Sequence, residues 1–230
     1  MILSIIVPCY NEEKVLPNLI SEISNFKNIH PEVEFIIVNN GSIDKTGEIL
    51  NSNVANKLFK VVNVEINKGY GHGIKSGLKN ASCKYIGWFH ADNLSIFNFL
   101  NSLLNQEILK NDKIYIKGLR DEKRGIANKL FTFFLSLCST IILACKLNDI
   151  NAQPTIFENK LFLKMKNAPD DFAFDLYTLY FATKNRQKIL RIKHVNYSRQ
   201  FGNSSWNIGI LSRINLSIKY LNYILFKIKR

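Results

Sequence analysis

Apolar and polar positions fall into a repeating block along the first half of the chain. Runs rich in Ile, Val, Phe and Tyr at residues 2–8, 34–39, 60–64 and 84–89 each give way to a polar turn, then to apolar residues at helical spacing. The pattern predicts four strands alternating with helices near 12–27, 44–57, 71–80 and 96–110, the second capped by Ser42 or Asp44. Such alternation builds a mainly parallel sheet, an α/β fold. Ligands of these sheets bind in the crevice beyond the carboxyl ends of the strands.

The four strand ends read "PCYNEE", "NNGSID", "NKGYGHG" and "HADN". Folded, they bring Tyr10, Asn11, Glu12, Asn40, Ser42, Asp44, Lys68 and Asp92 to one edge, with the donors, acceptors and carboxylate that a nucleotide needs. A nicotinamide cofactor does not match. Gly71, Gly73 and Gly77 give GxGxxxG and follow the third strand, while the first loop holds no glycine. The P-loop pattern is absent as well.

Composition narrows the class. At 230 residues the chain is long enough for one large domain or a domain with an appendage, and 47% hydrophobic with 12% aromatic residues excludes disorder. Cys9, Cys83, Cys138 and Cys145 form no CxxC pair or zinc spacing, so they read as reduced, mostly buried thiols. "MILSIIVPCYNEE" has no basic region before its apolar run and reads as a first strand rather than a signal peptide, which implies a cytosolic location. The formal net charge of +13 is unevenly placed: Leu176 to Arg230 contains no Asp or Glu and eleven Lys and Arg. Such a field attracts nucleic acid, anionic lipid or phosphorylated substrates.

Seven segments carry a resemblance: "SIIVPCYNEE", "FIIVNNGSIDKT", "NKGYGHGIKSGLKNAS", "WFHADN", "KGLRDEKR", "NDINAQPTIF" and "YSRQFGNSSWN". Together, in this order, they are similar to family 2 glycosyltransferases of the GT-A fold, close to the dolichyl-phosphate mannose synthase and bacterial polyprenyl-phosphate glycosyltransferase group. The similarity implies a nucleotide-sugar donor held by Pro8, Tyr10, Glu12 and Asn40, with Asn11, Ser42, Asp44, Lys68, Gly69, Ala91, Asp92, Arg199 and Ser204 completing the donor side. Asn40 stands where many members have Asp, which leaves the base open.

The same resemblance implies a divalent cation, Mg2+ or Mn2+, at the strand end where the family has Asp-x-Asp and this chain has His90-Ala91-Asp92. These cations take oxygens from water and substrate phosphate, so Asp92 with His90 is a workable protein share, and histidine suits Mn2+ better than Mg2+. Catalytic roles fall by similarity to Asp92, to Arg120 and Arg124 as phosphate-binding forks, and to Asp149 and Asp175 near the acceptor, with Gln153 beside them. A sugar hydroxyl acceptor needs one carboxylate as general base, whereas a lipid phosphate is already anionic. The segment around Arg199, Gly202, Ser204 and Trp206 is expected to close over the diphosphate.

Two apolar stretches bear on membranes. Residues 130–145 are uncharged but shorter than a span of about 20 residues, and read as a buried helix or one at the lipid interface. The tail "IGILSRINLSIKYLNYILFKIKR" reads as a basic amphipathic helix. The expected organisation is a glycosyltransferase domain over 1–205 and a C-terminal helix over 206–230, peripheral on the inner face of the cell membrane. The reading is an inverting transferase acting on polyprenyl phosphate. Transfer to a glycan hydroxyl in surface polysaccharide assembly, or an inactive binding module of the same fold, are the alternatives. No nucleic-acid motif accompanies the basic tail.

Overall fold

The computed structural model describes residues 2–52, 58–119, 126–193 and 218–228. The four apolar runs form β1 (Leu3–Cys9), β2 (Val33–Asn40), β3 (Lys60–Val64) and β4 (Tyr85–Trp88). Between and after them lie the helices α1 (Leu16–Ile29), α2 (Thr46–Leu50), α3 (Tyr70–Leu78) and α4 (Ile96–Asn105). The second half adds β5 (Ile114–Leu119), α5 (Ile126–Leu143), β6 (Thr155–Glu158), α6 (Asn159–Phe162), α7 (Ala173–Lys184) and β7 (Lys188–Lys193). A helix over residues 218–228 follows.

All seven strands join one sheet in the order β3-β2-β1-β4-β6-β5-β7. The pairs β1–β2, β1–β4, β2–β3 and β5–β7 are parallel, and only β6 runs against its neighbours β4 and β5. The expected mainly parallel sheet is present. The central strands β1 and β4 are mostly apolar because both faces of the sheet are covered there. Leu3, Ile5 and Val7 of β1 pack with Leu19, Ile23 and Phe26 of α1 and Leu100 of α4. Ile6 of the same strand points the other way, into a cluster with Ile36, Ile74, Trp88, Phe174, Leu179 and Tyr220.

Helix boundaries moved for local reasons. The first helix starts at Leu16, not residue 12, because the Glu12 carbonyl accepts Val15 N and Leu16 N at 3.0 Å in a preceding turn, and Pro17 suits a first helical turn. Helix α4 ends at Asn105 instead of 110, since Glu107 adopts a left-handed φ of 54°. Helix α2 ends at Leu50, and the rest of its expected length, 53–57, lies outside the described residues. Asp44 does serve the α2 start, accepting Thr46 N at 2.9 Å. Ser42 instead accepts Asn11 N.

The apolar stretch at 130–145 falls largely in α5, and among the described residues no helix is long and apolar enough to cross a membrane. The C-terminal helix is anchored: Tyr220 and Ile224 are fully buried, and the Tyr220 hydroxyl lies 2.7 Å from Asn151 Oδ1 and 2.6 Å from the Phe172 carbonyl. The 205/206 boundary lies outside the described residues.

One charge inside the sheet predicts a pH dependence. Glu34 on β2 is 5% exposed and accepts Ser4 Oγ at 2.5 Å, Ser82 N and Oγ at 3.0 Å, and the Lys60 ammonium at 2.6 Å. Burial alone would raise its pKa, but the bonds from Lys60, Ser4 and Ser82 outweigh burial and lower it to about 2. A depressed carboxyl adds stability above its unfolded pKa and loses it as pH falls through the folded one. Here the loss runs from about pH 4.5 down to about pH 2. With Lys60 half in solvent, the effect is on the order of 2 kcal/mol. Urea midpoints of the parent should fall across that window, and Glu34→Gln should be weaker at pH 7 but flatter below pH 5. Parallel curves for the two proteins would remove Glu34 from the account.

Candidate functional site

The strand order places the site. From β1 the chain winds outward through β2 and β3, then returns to lay β4 on the other side of β1. The connections leaving the carboxyl ends of β1 and β4 therefore diverge, and the crevice between them is where ligands of such sheets bind. It is bounded by residues 10–13 after β1, 41–46 after β2, 65–70 after β3 and 89–95 after β4.

The first two loops are tied to each other. Asn11, at φ 55°, donates its N–H to Ser42 Oγ (3.1 Å) and accepts Ile43 N on Oδ1 (2.9 Å). Glu12 N donates to Thr46 Oγ1 (2.8 Å), Glu13 N to Asp44 Oδ2 (3.2 Å), and Lys45 N to Glu13 Oε2 (3.1 Å). Asn11, Ser42 and Asp44 thus spend their side chains holding the loop pair in shape. Tyr10, 41% exposed, remains open to the crevice side of that pair. Asp44 is held below the usual carboxylate range: its slight burial opposes this, and the N–H and hydroxyl bonds from Thr46 and Glu13 prevail.

Asn40 closes β2 and is 5% exposed. Its Nδ2 donates to the Gly69 carbonyl (3.2 Å) and Asn67 Oδ1 (3.4 Å), whereas its Oδ1 is buried with no hydrogen-bond partner. A Cβ at position 73 would fall 2.8 Å from the Asn40 amide, so Gly73 makes room for it. Gly69 opens α3 at φ 121°, where a Cβ would sit 2.5 Å from the Asp170 carbonyl. The glycines of "GYGHG" serve close packing, in keeping with the mismatch to dinucleotide patterns. Lys68 is exposed beside them, and Pro8 pairs with Val38 within the sheet.

The end of β4 rests on a buried relay. His90 N donates to Gln153 Oε1 at 2.7 Å, which fixes the amide so that Nε2 faces the Tyr70 hydroxyl, also at 2.7 Å. Trp88 Nε1 donates to the same hydroxyl at 3.2 Å. Tyr70 therefore accepts twice, with Asp175 near enough for its charge to act on the phenol. Burial, reinforced by the Asp175 charge, raises its pKa well above the phenol range. Asp175, 3% exposed, faces the ammonium of fully buried Lys117 at 3.5 Å, and Lys117 donates to Thr155 Oγ1 at 2.9 Å. Rings of Tyr70 and Phe172 stack with centroids 4.9 Å apart, and the His90 ring tilts on Tyr70 at 5.4 Å.

The structure brings Tyr10, Glu12, Asn40, Gly69, His90, Ala91 and Asp92 to the crevice edge; Ala91 is buried, His90 and Asp92 half-buried. Asp149 occupies a turn at φ 42°, its carbonyl accepting Ala152 N (3.0 Å) and Arg191 Nη1 (3.4 Å). Burial lowers the Arg191 pKa, and the Asp149 charge partly offsets this. Arg120, Arg124, Arg199, Gly202, Ser204 and Trp206 lie outside the described residues. Tyr70 and Lys117 were not among the sequence candidates. Their signals were a lone aromatic in a glycine loop and a lone lysine inside the apolar run "IYIKGL".

Comparison with known proteins bears on this arrangement. The sequence profile of glycosyl transferase family 2 matches residues 4–130. The poly-beta-1,6-N-acetyl-D-glucosamine synthase of Staphylococcus epidermidis is 36% identical over 90 residues, 39% of this chain and 21% of that protein. Its counterpart in Staphylococcus aureus (strain COL) is 29% identical over 92 residues, 40% and 22% of the two chains. The match thus spans about a fifth of the length of these curated relatives. Among solved structures, glucosyl-3-phosphoglycerate synthase from Mycobacterium tuberculosis, in complex with Mn2+, UDP and glucosyl-3-phosphoglycerate, superposes with a TM-score of 0.68. That comparison has 19% identity and covers 97% of this chain and 78% of that one. A mannosyltransferase from Pyrobaculum calidifontis, in complex with GDP-Man and Mn2+, gives 0.63 at 15% identity, covering 98% and 70%. At these identities the structures establish a shared fold.

Proposed function

Because the chain belongs to glycosyl transferase family 2, we propose that it moves a sugar from a nucleoside diphosphate onto polyprenyl phosphate at a membrane face, with inversion at the anomeric carbon. The nucleoside lies along Tyr10, Glu12 and Asn40. The buried Oδ1 of Asn40, lacking a partner, suits an imino or amino N–H of the base. The diphosphate lies at the end of β4.

A divalent cation fits the residues there. His90 and Asp92 offer an imidazole and a carboxylate, and among the described residues no cluster of three His, Cys, Asp or Glu joins them. Two protein ligands suffice for Mg2+ or Mn2+ that takes its other oxygens from diphosphate and water. When bound, the cation supplies charge neutralisation on the departing diphosphate. The chain's own part is positional: Gln153 and Tyr70 fix the His90 backbone, and so the strand end, against the β1 loop. In the reaction an acceptor phosphate oxygen bonds to the anomeric carbon as the bond to the diphosphate oxygen breaks, its electron pair leaving with the nucleotide.

The observation that carries the phosphate acceptor is the burial of Asp175. It is 3% exposed and faces the Lys117 ammonium, so it is not placed to take a proton from an acceptor hydroxyl, and a phosphate acceptor needs none taken. A second reading, transfer to a glycan hydroxyl, is favoured by the names of the staphylococcal relatives. A panel of UDP- and GDP-sugars with Mn2+ or Mg2+, against polyprenyl phosphate in detergent and against oligosaccharides, separates the two. Transfer to the lipid phosphate alone is expected. Transfer to oligosaccharides alone would select the second reading, and failure to bind any nucleotide sugar would remove both.

A further inference from the structure

Among the described residues, helix α5 carries the largest group of exposed large apolar side chains. Leu135, Ser139 and Leu143 turn inward at four-residue spacing, while Phe133, Phe134, Leu137 and Ile141 are 60%, 59%, 41% and 69% exposed. The C-terminal helix packs beside it. Tyr220 and Ile224 hold that helix to the core and leave Leu225 and Phe226 in solvent at 43% and 58%. Scattered apolar residues on a surface are ordinary, but a concentration on two adjacent helices marks an interaction face.

Charge identifies the occupant. The two helices that make this face, α5 and the helix over 218–228, contain no Asp or Glu. Exposed Lys146 follows α5, exposed Lys219 lies on the C-terminal helix, and Lys184 is near enough to Cys145 to act on its thiol. A second copy would meet this face with the same cations. An anionic lipid surface takes both features, apolar side chains among the acyl chains and lysines at the headgroups. We infer that α5 and the C-terminal helix lie in the plane of an anionic bilayer, with α5 supplying the inserted side chains. The inference deepens the reading of a lipid-phosphate acceptor, because a polyprenyl chain remains in the bilayer while its phosphate is glycosylated.

The test is co-sedimentation of the full chain with phosphatidylcholine vesicles, with and without phosphatidylglycerol. No donor or acceptor is present, so the result is independent of transfer activity. Binding is expected with phosphatidylglycerol, weakened by salt, and nearly absent with phosphatidylcholine alone. Phe133→Ser with Phe134→Ser should reduce vesicle affinity at least about tenfold, with the thermal melt and nucleotide affinity unchanged. Ile141→Ser, further along the same helix, should do so more weakly. Undiminished binding by both variants would overturn the inference, as would a parent that binds neither vesicle. A parent that elutes as a dimer, with the double variant a monomer, would reassign the face to a second copy. Vesicle binding without transfer to any lipid phosphate would leave this face standing and sink the acceptor reading.

Discussion

Asp175→Ala is expected to lower stability by about 3–5 kcal/mol, because it removes a carboxylate that faces a buried ammonium. Lys117 is fully buried and also donates to the neutral Thr155 hydroxyl, 2.9 Å away. The same substitution removes the charge that raises the Tyr70 pKa. Urea unfolding measures the loss. Removing both charges together, Asp175→Leu with Lys117→Met, should recover most of it, since a neutral core of similar volume no longer carries a lone charge. Equal losses in the single and double variants would show that the pair does not interact. Asp175→Asn adds a functional arm. If Asp175 only positions Tyr70 and the β4 end, transfer to a lipid phosphate falls without any change in its pH profile. Loss of the acidic limb of that profile would instead make Asp175 a proton acceptor.

The fold was legible because its strands are short, apolar and each followed by a polar turn. The four predicted strands differ from the observed ones by no more than one residue at any end. Much of the crevice was legible for the same reason: strand ends declare themselves. What the sequence could not convey was how polar side chains at one edge divide their work. Asn11, Ser42 and Asp44 read as ligand contacts, and in the structure each also bonds across to the facing loop. Local spacing carries no information about which of two facing loops a side chain will bond.

The relay beneath the site was hidden by sequence distance. Tyr70, Gln153 and Asp175 lie on three segments that meet only once β6 inserts between β4 and β5. Lys117 and Asp175 nonetheless left a trace, a single charged residue inside an apolar run, in "IYIKGL" and "FAFDLY". Buried charges are rarely fully buried unless paired, so two such lone charges invite the question of whether they face each other. Helix α5 shows the converse. Its uncharged run suited a buried helix, yet only one side of it is covered.

At the β4 end, Asp92→Ala is expected to reduce transfer about 10²- to 10³-fold, the cost of losing one charge-stabilising contact at a reacting centre, about 3–4 kcal/mol. The fold should survive, because Asp92 is half-exposed and the turn it sits in is held by the backbone bond from Asn93 N to the His90 carbonyl at 3.0 Å. A melt unchanged beside the collapsed rate distinguishes a site effect from a folding effect. His90→Ala should cost less, since His90 already contributes its backbone N–H to Gln153 and that bond persists. His90→Asp is the more informative variant. A second carboxylate hardens the ligand set, so activity should shift from favouring Mn2+ toward Mg2+. An unchanged cation preference in His90→Asp would take His90 out of the ligand set, and an Asp92→Ala enzyme as fast as the parent would take the cation away from this strand end altogether.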